Sequence, residues 1–238
     1  MTFATEVNDL VRDYGALRAL NGISFKIKEN EIFGLIGPNA SGKTTTLRII
    51  STLLKPTKGE VKVFDMDVTK NSQGVRKLIS YLPEEAGAYK NLTGIDYLRF
   101  MATFYSINSS DRDRIIDRGI EIANLGKRIY DKVKTYSKGM ARKLLLARAL
   151  MVKPKLAILD EPTSGLDVIN SMEIREKIKA FVREGVTVLL SSHNMLEVEF
   201  LSERVALIKN GMIFETGTPD ELKKKYDARN LEEVFMKV

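Results

Sequence analysis

Gly37-Pro38-Asn39-Ala40-Ser41-Gly42-Lys43-Thr44 follows the spacing G-x-x-x-x-G-K-[ST] and continues into Thr45. Residue types at this spacing suit one task, the holding of a polyphosphate. Many backbone N–H groups must converge on the anion, so the loop has to curl tightly, and Gly37 and Gly42 are expected to supply backbone angles that side chains forbid. A helix N-terminus following the loop adds orphan donors and a positive dipole end. Lys43 can reach the outer phosphates, and the Thr44 hydroxyl is a candidate Mg²⁺ ligand. Further along, Leu156-Ala157-Ile158-Leu159 ends in the adjacent acids Asp160 and Glu161. At the end of a buried strand, Asp160 can orient a metal or its water opposite Thr44, and Glu161 can take a proton from an attacking water.

These groups need elements to hold them. Ile32–Ile36 is an apolar run that enters the loop as a strand, and helical spacing after Lys43 predicts a helix ending near Leu54, ahead of Pro56. Residues 3–13 and 17–28 alternate loosely and predict antiparallel strands. Val61–Val63 and Ile79–Leu82 predict two more. From Leu92 to Val152 the periodicity is helical, with Thr93 and Ser137 as expected N-caps. Strands return at Leu156–Leu159 and Val186–Leu190 around a helix from Val168 to Val182. Asn210-Gly211 predicts a hairpin between Val205–Ile208 and Met212–Phe214. Helices at Pro219–Tyr226 and Leu231–Val238 close the chain.

The fold class this implies is α/β: a P-loop NTPase (RecA-like) core with an inserted α-helical lobe and an N-terminal antiparallel β subdomain. The expected division is one domain over 1–238. The β subdomain takes 1–30 and 59–67, and the nucleotide-binding core takes 31–58, 68–91 and 153–218. The helical lobe takes 92–152 and the terminal helices 219–238.

Bulk composition fits. The chain has 238 residues, 44% hydrophobic and 29% charged, with no cysteine and therefore no disulfide framework or thiolate metal site. No run approaches the length of a membrane span, and the acids Glu6, Asp9 and Asp13 argue against a signal peptide. A net charge of +7 suggests an anionic neighbour, but the charge is dispersed, and its densest run, Lys223-Lys224-Lys225, reads as a solvated helix face.

Asp160–Glu161 continues as Pro162-Thr163-Ser164-Gly165-Leu166-Asp167. Upstream lies Tyr136-Ser137-Lys138-Gly139-Met140, and downstream Ser191-Ser192-His193-Asn194. In this order, over essentially the whole chain, the motifs resemble those of ABC-transporter ATPases. The resemblance makes His193 the switch histidine and Tyr14 the aromatic that stacks on adenine. It makes Ser137 and Gly139 the signature's phosphate-facing donors, and it puts Asp167 in the D-loop against the nucleotide. Glu84 stands where the family carries a metal-contacting glutamine, and Lys138 and Met140 replace a glycine and a glutamine of the signature. Tyr81-Leu82-Pro83-Glu84-Glu85, the YSKGM form and Asn230–Phe235 are similar to the ATPase subunits of ABC-2-type exporters.

What the resemblance implies is an ATPase that uses ATP and Mg²⁺, the metal held by Thr44, Glu84 and Asp160. Catalysis would rest on Glu161, His193 and Lys43. ATP would lie between one subunit's phosphate loop and Ser137 and Gly139 of the other, in a homodimer or with a paired ATPase subunit, and the ATP-binding residues would be Tyr14, residues 37–45, Glu84, Ser137, Gly139, Asp160 and Asp167. A separate transmembrane permease subunit would dock around Glu84–Tyr105, with the chain peripheral on the cytoplasmic face of the membrane and no nucleic acid expected. Alternatives are a soluble ABC ATPase acting on nucleic acid or ribosomes, a small-molecule kinase or GTPase, and a nucleotide-gated binding module without turnover.

Overall fold

Strand β3 (Ile32–Ile36) is buried along its whole length, because each face meets a different apolar layer. Ile32 and Ile36 enter one hydrophobic cluster, and Phe33 and Leu35 enter the other. A computed structural model, describing residues 2–238, shows why. It has two sheets. β1 (Phe3–Tyr14), β2 (Leu17–Lys28), β4 (Lys58–Val63) and β5 (Met66–Asp67) make a four-stranded antiparallel sheet in the order β2-β1-β4-β5. β3 joins β6 (Ile79–Leu82), β7 (Leu156–Asp160), β8 (Thr187–Ser192), β9 (Arg204–Lys209) and β10 (Met212–Gly217) in a six-stranded sheet ordered β10-β9-β3-β8-β7-β6. Only β10 runs antiparallel in it.

Between the two sheets lies α1 (Lys43–Ile50), with Leu47, Ile49 and Ile50 in the cluster that also holds Phe33, Ile158 and Leu189. The helix stops earlier than the spacing predicts. Ser51 caps it, Thr52 turns to φ 65°, and the N–H groups of Leu53 and Leu54 fold back onto the Arg48 carbonyl at 2.9 and 3.1 Å. The last carbonyls are satisfied by this turn rather than by further helix.

The opposite face of the large sheet carries the helices α3 (Gly94–Ala102), α4 (Ser109–Ala123) and α5 (Lys138–Leu150), with two short 3₁₀ turns between α4 and α5. Their apolar faces (Leu98, Ile116, Leu144) share one cluster with Ala157, Leu159, Val188 and Leu190, so the lobe is welded to the sheet. Thr93 and Ser137 cap α3 and α5 as their side chains predict. α6 (Val168–Arg183) crosses from β7 to β8. The Asn210-Gly211 turn closes the hairpin with φ of 51° and 72°. α8 (Pro219–Lys225) opens with a complete capping box, Thr218 with Glu221, and packs beside α9 (Leu231–Lys237). Three short elements, β5, α2 (Ser72–Arg76) and α7 (Met195–Leu201), have too few residues to show a period in the sequence. Among the described residues, no helix is long and apolar enough to cross a membrane.

Candidate functional site

The carboxyl ends of β3, β6, β7 and β8 lie side by side, because these strands are parallel neighbours. The segments that follow them, Gly37–Lys43, Pro83–Glu84, Glu161 and His193, therefore meet at one edge of the sheet, where open α/β folds bind ligands. A cleft of about 360 Å³ opens there, lined by Tyr14, Leu17, Ala19, Asn39 through Thr45, Glu84 and Glu161.

The loop is shaped differently at its two glycines. Gly42 has φ +109°, and a Cβ there would lie 2.6 Å from the Leu20 side chain. Gly37 does not use the left-handed region that the sequence suggested. It is required by close approach, since a Cβ would sit 2.0 Å from the Ile208 carbonyl oxygen. The left-handed turn before Gly42 is made by Ala40, at φ 62°. Lys43 reaches back over the loop, donating to the carbonyls of Gly37 at 2.7 Å and Pro38 at 3.0 Å, with a Glu161 carboxylate oxygen 3.9 Å away. Burial pushes the Lys43 amine below its ordinary pKa, and the charges of Glu161, Asp160 and Glu84 oppose that shift.

Asp160 is held by a Ser191 hydroxyl and sits 3.4 Å from the Thr44 hydroxyl. Tyr81 also donates to it at 3.4 Å. The Tyr81 hydroxyl stays a donor because burial, and then the Asp160 charge, raise its pKa to about 12. The neighbouring Glu161 is buried, yet its carboxylate meets His193 Nδ1 at 2.8 Å and the Ser192 hydroxyl at 3.3 Å. Thr44, Asp160 and Glu84 offer only oxygen donors. A hydroxyl with one or two carboxylates is the set by which Mg²⁺ is held when substrate phosphates supply the rest.

Tyr14 lies at the rim of the cleft, with the Arg12 guanidinium 4.6 Å from its ring centroid. Ser137, Gly139 and Asp167 do not line the cleft. Ser137 caps α5, accepting from Met140 N–H, and Asp167 caps α6. Backbone and side-chain hydrogen bonds from Asn170 hold the Asp167 carboxyl below its usual range. Sequence reasoning missed Arg142, which donates to backbone carbonyls on both acidic loops. It also missed the hydroxyls of Ser191 and Ser192 that hold Asp160 and Glu161. Nothing in the sequence marks Arg142, since its partners are main-chain oxygens that every residue carries.

The family model described as ABC transporter matches residues 20–164. The chain belongs to the ABC transporter ATPase family. Relatives include the bacitracin transport ATP-binding protein of Bacillus licheniformis, 35% identical over 226 residues, 94% of this chain and 73% of the relative. The daunorubicin/doxorubicin resistance ATP-binding protein of Streptomyces peucetius is 36% identical over 233 residues, 97% of this chain and 70% of the relative. A solved dimeric bacterial ABC transporter cassette superimposes with a TM-score of 0.81 at 26% identity, covering 90% of this chain and 98% of that one. With the chain an ABC ATPase, the kinase and GTPase alternatives fall away.

Proposed function

We propose that this chain is the ATP-hydrolysing subunit of an ABC-2-type exporter, peripheral on the cytoplasmic face of a membrane and coupled to a separate permease subunit. One observation carries the chemistry: Lys43, Thr44, Asp160, Glu161 and His193 meet at one edge of the sheet, Lys43 and His193 on Glu161 and Thr44 on Asp160. ATP lies along the loop, its adenine on Tyr14 and its phosphates over residues 37–45. Lys43 exchanges the Gly37 and Pro38 carbonyls for phosphate oxygens. Thr44, Asp160 and Glu84 would hold Mg²⁺, which would neutralise charge on the phosphates. Glu161 accepts a proton from water as the new Pγ–O bond forms and the bond to the β-phosphate oxygen breaks, releasing ADP and phosphate. His193, hydrogen-bonded to Glu161, orients that carboxylate and reads the γ-phosphate.

Ser137, Gly139 and Asp167 serve a second copy, a reading supported by their lying outside the chain's own cleft. A dimer is also the state of the solved cassette that this chain resembles. The permease surface is the exposed aromatic ladder beside Glu84. Tyr89 packs edge-on against Phe100 at 5.6 Å, and Phe100 against Phe104 at 5.2 Å, although all three rings are exposed. The densest basic run gives the nucleic-acid reading no support. Lys223 pairs with Glu199 at 2.7 Å and Asp220 at 3.0 Å, and Lys225 with Glu215 at 2.6 Å, so the densest basic run is largely neutralised.

Affinity purification of the tagged chain from detergent-solubilised membranes of its own cells, with and without nuclease, tests the assignment. Co-isolation of a multi-span membrane protein, insensitive to nuclease, is expected. Nuclease-sensitive recovery with ribosomes or DNA, and no membrane protein, would overturn it.

A further inference from the structure

Arg142 is 8% exposed, in the first turns of α5, and among the described residues it makes no salt bridge. Buried arginines are normally paired with acids. Here every hydrogen bond goes to a main-chain carbonyl. Nε donates to Pro162 at 2.8 Å, and Nη2 donates to Asp160 at 2.9 Å and Glu161 at 2.7 Å. Nη1 donates to Pro83 at 3.3 Å and Glu84 at 3.1 Å. One edge of the planar fork thus serves the segment after β7, and the other serves the segment after β6. A lysine ammonium is a single point and cannot span both.

Glu161 needs such a hold. It is a non-glycine residue at φ 49°, a conformation that costs energy unless its surroundings impose it. Its N–H is fixed by the Ser191 carbonyl at 3.1 Å, and its carbonyl accepts from Arg142 at 2.7 Å and from the Ser164 N–H at 3.2 Å. With both peptide units pinned, the side chain is aimed at His193.

We propose that Arg142 is a positioning residue for hydrolysis. Its guanidinium locks the Glu161 backbone in the left-handed conformation and ties it to the Glu84 loop. Movement of α5, whose N-terminus carries Ser137 and Gly139, is thereby delivered to the carboxylate that takes the proton. The inference rests on the assignment of Glu161 as base. It extends that assignment by making base alignment depend on the position of the helical lobe.

The test is a double-mutant cycle on the full chain, combining Arg142→Lys with Glu161→Gln and reading ATP affinity by calorimetry and single-turnover hydrolysis with Mg²⁺. Arg142→Lys is expected to lower hydrolysis by about 10- to 100-fold, as misalignment of a reacting group does, while ATP affinity changes by less than about threefold. Added to Glu161→Gln, it should change the residual rate by less than about twofold, because the group it positions is already disabled. Arg142→Gln keeps a planar amide with N–H donors and serves if the lysine form does not fold. Equal losses in both backgrounds would overturn the proposal, as would an unchanged rate or a parallel loss of affinity. Wild-type hydrolysis by Glu161→Gln alone would instead refute the base assignment, and the inference with it.

Discussion

Lys43 shows how much a single residue is asked to do. It is 6% exposed, and its ammonium is shared among two loop carbonyls and the Glu161 carboxylate. Polyphosphate gives that charge a stronger partner than neutral carbonyls do. Lys43→Ala removes it, so ATP affinity should fall by about 2–5 kcal/mol, as when one member of a buried charge pair is truncated. Calorimetry with ATP decides this, and an unchanged affinity would remove Lys43 from the phosphates. Glu161→Gln should separate binding from turnover. The amide keeps the shape but cannot take a proton, so hydrolysis should drop by ~10²–10⁴-fold with ATP still bound. A rate near that of the wild type would put the base elsewhere.

At the scale of elements, the turn from β5 into α2 makes a pH-dependent contribution. The Asp67 carboxylate accepts from the Thr69 N–H at 2.7 Å, the Thr69 hydroxyl at 2.6 Å and the Lys70 N–H at 2.9 Å. The Thr69 hydroxyl contributes most to lowering the pKa from 3.8 to about 2. The folded value lies below the unfolded one, so the unfolded chain binds more protons between them. The stabilisation is therefore present above the unfolded value of 3.8 and is lost as the pH falls through about 2. Asp67→Asn should flatten the acid limb of the thermal midpoint measured between about pH 5 and 2. Superimposable slopes would show that the turn does not depend on the charge.

For the whole molecule, the decisive property is that the chain's own cleft leaves out Ser137 and Gly139. The start of α6 beside Asp167 also exposes Val168, Ile169 and Met172, a patch that a second copy would cover. Slow turnover should preserve the closed pair, and loss of a carboxylate beside the γ-phosphate relieves like-charge repulsion. Glu161→Gln is thus expected to elute as a dimer with Mg²⁺-ATP and as a monomer without it. Adding Ser137→Arg should abolish the dimer by placing bulk against the opposing nucleotide. Size-exclusion chromatography reads both. A dimer indifferent to Ser137→Arg would mean that the copies meet through another surface.

Residues 37–44, the acids at 160 and 161 and the apolar strands were legible in the sequence because their chemistry is local. A phosphate loop needs its glycines and lysine in consecutive order, and a strand buried on both faces must be continuously apolar. The Thr93 and Ser137 caps were legible for the same reason, since a cap contacts its own helix. What depended on distant neighbours was not. Gly37 stands in the motif, but the reason for it, close approach to the Ile208 carbonyl on the neighbouring strand, is not in the loop's own residues. The Ser191 and Ser192 hydroxyls meet Asp160 and Glu161 only because β8 lies beside β7. Arg142 is the plainest case. Its partners are backbone oxygens on two loops that strand order alone makes neighbours, so only the tertiary structure could bring that fork to them.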